Sequence, residues 1–275
     1  MIHRIPLALT VAGTDPTGGA GIQADLKSFQ ERTVYGMSVI TSVVAQNTTG
    51  VQAVQHMPAP FIKEQLNSVF SDVRPQVVKS GMLAHPEMMQ ILAAFIEKYK
   101  VSYVIDPVMV AKSGDHLMDQ TSKNVLRDSL VPLATVVTPN IPEAEVLLDK
   151  TIKNISDAEK AAKAIVDQLR AEAAVVTGGH FNKQPIDVLY DGETLHHFSS
   201  EYFDTNHTHG TGCTFSAVIT AELAKGKPLV ESVEIAKGFI TDAIQYSLEL
   251  GKGNGPTNHW GYRLQGVPYV EKEVF

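Results

Sequence analysis

Short runs rich in β-branched and aliphatic residues alternate along this chain with longer stretches in which apolar positions recur every three or four residues. The short runs, at 7–12, 39–45, 77–80, 103–105, 135–138 and 174–177, read as strands. Helical period covers 20–32, 60–71, 86–99, 119–130 and 157–171 between them, and 212–225 and 229–250 after them. Strands separated by helices imply parallel crossovers, because a tight turn cannot reach a parallel neighbour. One segment departs from this order: Val188, Leu189 and Tyr190, the turn Asp191-Gly192, and 194–198 read as an antiparallel hairpin. The predicted fold is therefore α/β, a doubly wound, mostly parallel sheet with helices on both faces and a small antiparallel hairpin near one edge. No linker rich in Gly, Pro or Ser interrupts it, so residues 1–275 are expected to form a single domain.

Charge narrows the partners. With 23 Lys+Arg against 30 Asp+Glu, a net charge of -7 and no basic cluster, nucleic acid is not expected as the main partner, since neutralising phosphates is what supplies that affinity. Cys213 is the only cysteine, so no intrachain disulfide forms and a reducing compartment, the cytoplasm, is expected. Arg4 followed by the apolar stretch 6–13 imitates a signal peptide. Asp15 and a glycine cluster stand where a cleavage site belongs, so the stretch reads as a buried strand. No run of about 18 apolar residues predicts a membrane span.

In doubly wound sheets ligands bind beyond the carboxyl ends of the strands. There the chain places Gly13-Thr14-Asp15, Gln46-Asn47, Asp106-Pro107-Val108-Met109, Asn140 and Gly178-Gly179. The loop 13–21 has the glycine spacing of a phosphate-binding P-loop but Gly19-Ala20 where Lys and Ser/Thr are required, and that reading fails. A dinucleotide fingerprint at 19–24 lacks an acidic residue after the second strand. Two readings of the loop stay open: glycines that admit a small ligand toward the Asp25 carboxylate, or a glycine-rich turn with a solvated Asp25. Asn140-Ile141-Pro142-Glu143 has the spacing of a capping box, and the same Glu143, near Asp106, could organise a hydrated Mg²⁺. His209-Gly210-Thr211-Gly212-Cys213 opens an apolar-periodic helix, so its N–H groups and dipole favour a phosphate and are expected to lower the Cys213 pKa, making it a base or nucleophile. A zinc site from His207, His209 and Cys213 matches no common spacing. His196 and His197 point to opposite faces of a strand and receive no role, and His180 is taken to pack against the glycine turn.

Taken together, Ala12-Gly13-Thr14-Asp15-Pro16, Gly18-Gly19-Ala20-Gly21-Ile22-Gln23-Ala24-Asp25, Ala45-Gln46-Asn47-Thr48, Lys79-Ser80-Gly81-Met82-Leu83, Val108-Met109-Val110-Ala111-Lys112-Ser113-Gly114, Thr138-Pro139-Asn140, His209-Gly210-Thr211-Gly212-Cys213 and Gly253-Asn254-Gly255-Pro256 resemble the hydroxymethylpyrimidine/phosphomethylpyrimidine kinases, a thiamine-biosynthesis family of the ribokinase-like superfamily. The resemblance runs nearly the whole length. It implies two successive phosphorylations that use ATP and Mg²⁺, a small aminopyrimidine substrate and a homodimer. It places the pyrimidine among Gly13, Asp25, Gln46, Met82 and Val108, with Asp25 and Gln46 hydrogen-bonding its ring nitrogens and amino group. It gives Asn140, Thr177, Gly179, His209 and Lys112 to ATP, and Asp106 and Glu143 to the magnesium ion and its waters. Gly210, Thr211, Gly212 and Cys213 form the anion hole, with cysteine where most of the superfamily has an aspartate base. Thr177 departs from the usual lysine, which removes a positive charge from the phosphate wall, and Lys112 on a closing lid is its candidate replacement. The alternative within the class is a pyridoxal kinase, whose relatives carry a second cysteine at the place of Ala111. From other classes come a thiol hydrolase, which needs Cys213 and His209 in contact, and a nucleotide-binding regulator without turnover.

Overall fold

Residues 5–109, 118–181 and 184–264 are described in this computed structural model. The strands are β1 (Leu7–Gly13), β2 (Tyr35–Asn47), β3 (Gly50–His56), β4 (Val77–Ser80), β5 (Ser102–Ile105), β6 (Val136–Val137), β7 (Ala174–Phe181), β8 (Gln184–Tyr190) and β9 (Leu195–Ser199). They form one sheet in the order β3-β2-β1-β4-β5-β6-β7-β8-β9. The strands from β2 to β7 in that order are parallel, while β3 at one edge pairs antiparallel with β2, and β8 at the other pairs antiparallel with both β7 and β9. From β1 the chain moves first to β2 on one side and later to β4 on the other. The sheet's direction of winding therefore reverses between β1 and β4, which opens a crevice at their carboxyl ends.

The helices are α1 (Gly21–Glu31), α2 (Ala59–Asp72), α3 (Pro86–Tyr99), α4 (Gln120–Val125), α5 (Ile141–Leu148), α6 (Ile155–Asp167), α7 (Thr211–Ala224) and α8 (Leu229–Gln245). Alternate strand residues face two apolar layers. Leu9, Val78 and Ile105 pack with Ile62 and Leu66 of α2, Leu92 of α3, Leu147 of α5 and Ile165 of α6. Ala8, Val77 and Val104 pack with Phe29 of α1, Phe215 and Val218 of α7, and Ile240 of α8. Burying each large aliphatic or aromatic side chain contributes about 1.5–3 kcal/mol, so both helix layers are needed to cover a sheet that is apolar on both faces.

The predicted parallel frame and the hairpin of β8 and β9 are present; β3 is the strand that the pattern did not disclose. Gln52 and Gln55 interrupt its apolar run because one face of an edge strand meets solvent. The helix expected over 119–130 holds α-form only from Gln120 to Val125, then widens into a π-turn over 126–130 and a 3₁₀ turn over 131–133. Pro132 accounts for this: it lacks an N–H, and its ring crowds the carbonyl four residues back. Among the described residues no helix is long and apolar enough to cross a membrane.

Candidate active site

A cavity of about 980 Å³ opens at the carboxyl ends of the strands, at the winding reversal. Its lining includes Gly13, Gln46, Met82 and Val108 on one side, Asp106, Asn140, Glu143 and Thr177 on another, and His209, Gly210, Thr211, Gly212 and Cys213 at the start of α7. Most residues singled out from the sequence thus meet in one place. Lys112 and its lid segment lie outside the described residues.

The start of α7 is built by close backbone packing. Gly210 caps the helix with a left-handed backbone, φ 82°, and a Cβ there would lie 1.7 Å from the carbonyl oxygen of Gly19. Only glycine fits. An α-helix leaves the N–H groups of its first turn without intrahelical partners, and here Gly212 and Cys213 belong to that turn and line the cavity, an arrangement suited to an anion.

Cys213 departs from its expected acidity. Burial and the negative charge of Asp106 push the thiol up, outweighing the pull of Lys79 and the Gly21 N–H that reaches the sulfur. Asp106, whose charge acts on Cys213, accepts from Ser216 Oγ at 3.3 Å. A helix N-terminus lowers a thiol pKa by a modest dipole term, and a nearby buried carboxylate overrides it. His209 and Cys213 do not meet, since His209 Nε2 pairs with Asp15 Oδ2 at 2.8 Å; the contact that a thiol hydrolase needs is missing.

Asp25 corrects a second expectation. It has no exposed surface and does not line the cavity. Lys79 Nζ lies 2.9 Å from one of its oxygens and 3.0 Å from the other, and Thr10 Oγ1 donates to it at 2.6 Å. Burial opposes the Lys79 charge, but the carboxylates of Asp25 and Asp106 together hold the ammonium protonated. A lysine within a strand buried on both faces requires an anion, and Asp25 supplies it. Gly179 is a third correction: it pairs with Ile186 in the sheet, and its neighbour Gly178 faces the cavity.

Asn140 and Glu143 form the anticipated capping box, with Glu143 N donating to Asn140 Oδ1 and Asn140 N to Glu143 Oε2, both at 2.9 Å. Glu143 lines the cavity as well, so the two roles coexist. Burial and the charge of Asp106 push Glu143 up to about 8, against the hydrogen bonds from the Asn140 and Met109 backbone. Two buried carboxylates that raise each other's proton affinity also favour a cation. Among the described residues no group of three or more His, Cys, Asp or Glu is placed to hold a metal ion. Hard oxygen donors from one or two carboxylates are what Mg²⁺ takes when waters and substrate phosphates complete its shell, and Asp106 and Glu143 fit that ion.

The sequence reading missed Lys237 and gave Asp15 no role beyond its place after the first strand. Lys237 of α8 is buried, lines the wall beside Thr177 and Gly178, and pairs with Asp187 at 2.8 Å, while Gly178 N donates to the other Asp187 oxygen at 3.2 Å. That wall therefore does carry a positive charge. Its signal was a lysine in phase with the apolar stripe of Val233 and Ile240. Asp15 organises the loop 13–21. Its carboxylate accepts from Thr17 N (2.9 Å), Thr17 Oγ1 (2.7 Å), Gly19 N (3.1 Å), Ala20 N (2.8 Å) and His209 Nε2 (2.8 Å). Burial opposes its charge, yet hydrogen bonds from His209, Gln46 and Thr17 hold it well below the usual carboxylate range. An aspartate two residues before Thr17 and followed by glycines has the pattern of an Asx turn, the signal that could have identified it.

Residues 15–258 match the family model described as phosphomethylpyrimidine kinase. A hydroxymethylpyrimidine/phosphomethylpyrimidine kinase of Staphylococcus aureus (strain Mu50) is 51% identical over 259 residues, 93% of this chain and 94% of that protein. Among solved structures, the ADP complex of Bacillus subtilis pyridoxal kinase is similar with a TM-score of 0.88 and 43% identity, over 95% of this chain and 100% of that one. A Staphylococcus aureus pyridoxal kinase in complex with AMP-PCP and pyridoxal gives 0.86 and 34%, over 94% and 95%. The matched span takes in the start of α7, the Asp106 and Glu143 carboxylates and Gln46 together, and at this length and identity the chain belongs to the phosphomethylpyrimidine kinase family.

Proposed function

We propose that this chain transfers the γ-phosphoryl group of ATP to the hydroxymethyl group of 4-amino-5-hydroxymethyl-2-methylpyrimidine and then a second phosphoryl group to the resulting monophosphate, as a homodimer in the cytoplasm serving thiamine biosynthesis. The observation that carries this reading is the convergence of three features on one cavity. These are a helix N-terminus open to an anion, a thiol beside it, and a carboxamide wall across from it. Phosphoryl transfer asks a protein mainly for positioning and charge stabilisation, and these parts supply both.

The first-turn N–H groups at Gly212 and Cys213 hold the transferring phosphoryl oxygens, and Lys237 and Thr177 face the remaining ATP phosphates. Cys213 takes the proton of the attacking hydroxyl as its own thiol proton passes to the neighbouring Asp106 carboxylate. Bound Mg²⁺, held by Asp106 and Glu143 largely through water, supplies positive charge that offsets the phosphates and the two carboxylates. The second phosphorylation starts from an ionised phosphate and uses the same hole without a base.

A second reading, phosphorylation of pyridoxal, rests on the likeness to the two pyridoxal kinase structures. The two are separated by kcat/KM measured for both substrates. The aminopyrimidine is expected to be preferred by about 10-fold or more, because a polar wall built for an amino donor is left unmatched by an oxygen acceptor. Comparable values for the two compounds would instead assign the chain to pyridoxal.

A further inference from the structure

The phosphoryl site depends on the first turn of α7, and that turn has a support behind it. Ser216 and Thr220 return their hydroxyls to carbonyls of the same helix, Gly212 O and Ser216 O, both at 2.8 Å. This is what a hydroxyl within a helix commonly does. The Thr214 hydroxyl instead meets His259 Nε2 at 3.1 Å, a buried contact between residues 45 positions apart. Neither side chain lines the cavity, and both are buried. Burial, reinforced by the charge of Lys27, pushes His259 down to about 4. Its ring is therefore neutral at pH 7 and pairs with the hydroxyl as donor or acceptor.

His259 ends a strap, residues 255–259, that ties the start of α7 to the end of α8. His209 N donates to Gly255 O at 3.0 Å, and Thr257 N donates to His209 O at 3.1 Å. Asn258 N donates to Ala243 O, and Asn258 Nδ2 to Tyr246 O, both at 2.9 Å, where α8 closes. Pro256 lies against the glycine loop, since a Cβ on Gly19 would come within 2.7 Å of its side chain. The backbone of the strap is thus anchored on three sides, and the contact between His259 and Thr214 carries that anchorage to the first turn of α7. A glycine N-cap offers no side chain to hold that turn.

We propose that His259 is a positioning residue: through the Thr214 hydroxyl it braces the first turn of α7 and so fixes the aim of the Gly212 and Cys213 N–H groups at the phosphoryl oxygens. This rests on the proposed kinase activity. Donors aimed at a transferring group lose rate steeply when they are displaced, so a brace that never touches the ligand still acts on turnover.

The test compares Thr214→Val, which keeps the shape and removes the hydroxyl, His259→Ala and the double variant with wild type. Turnover is measured from the aminopyrimidine and from its monophosphate, per binding site counted by calorimetric titration with ADP and Mg²⁺, so that unfolded protein does not enter. Each single variant is expected to lose about 10-fold in kcat in both steps, with KM for the pyrimidine within about 2-fold of wild type. The double variant should lose no more than the worse single one, because the two side chains form one link. His259→Gln, whose Nε2 reaches the place of the ring nitrogen, and Thr214→Ser, which keeps the hydroxyl, should each recover most of the loss. A second measurement needs no turnover: the Thr214 amide, which donates to Gly210 O at 2.9 Å, is expected to exchange with solvent about 10-fold faster in His259→Ala, with exchange over 218–224 unchanged. Wild-type turnover in Thr214→Val, losses that multiply in the double variant, a loss confined to the first step, or an unchanged Thr214 amide overturns this proposal alone. Wild-type protein that turns over neither pyrimidine overturns it together with the activity on which it rests.

Discussion

Replacing Cys213 with alanine is expected to lower the turnover of the first phosphorylation roughly 10²-fold or more, the usual loss when a general base is removed. ATP binding should persist, because the phosphate contacts at this position come from the backbone of α7 and not from the thiol. The second phosphorylation should suffer far less, since its nucleophile is a phosphate oxygen that is already ionised. Separate assays started from the aminopyrimidine and from its monophosphate read the two steps apart. Equal losses would show that Cys213 shapes the anion hole without accepting a proton. Because Asp106 and burial hold the thiol protonated in the ligand-free site, its base function requires that the thiol proton pass to Asp106 as the hydroxyl proton is taken.

Lys79→Met is expected to cost about 3–5 kcal/mol of stability, the range seen when one partner of a buried ion pair is removed. The Asp25 carboxylate would keep the Thr10 hydroxyl but lose the only cation within hydrogen-bond reach of it among the described residues. For a chain of this size that corresponds to a fall in Tm of roughly 10 °C. Lys79→Met combined with Asp25→Asn removes both charges and should recover more than half of the loss. Thermal unfolding of the three variants beside wild type checks this, and a Lys79→Met protein within 2 or 3 °C of wild type, an interval of about 1 kcal/mol, would show that the pair contributes little.

The frame of the fold was legible because its central strands are buried on both faces and therefore read as short β-branched runs. The edge strand β3 was not, since Gln52 and Gln55 serve its solvent face and break the run. The loops of the site were legible through their place at strand ends and through glycines that only a close approach explains, with Gly210 against Gly19 the clearest case. Charge pairing was the part that spacing concealed. Asp25 and Lys79 are 54 residues apart, Asp187 and Lys237 50, and Asp15 and His209 194, so only the folded sheet brings each pair together. A lone lysine in the apolar run Val77–Ser80, or in the apolar stripe of α8, signalled that a partner existed but not which one. The acidity of Cys213 was misjudged for the same reason: the helix start was visible in the sequence, and the charge of Asp106 acting on the sulfur was not.

The claim that one cavity performs both transfers is tested most directly by the stoichiometry of ADP release. With excess ATP and Mg²⁺ and a limiting, known amount of the aminopyrimidine, the reaction run to completion should release two ADP per pyrimidine, and none above background when the pyrimidine is omitted. One ADP per pyrimidine, or release that does not depend on the pyrimidine, would contradict it.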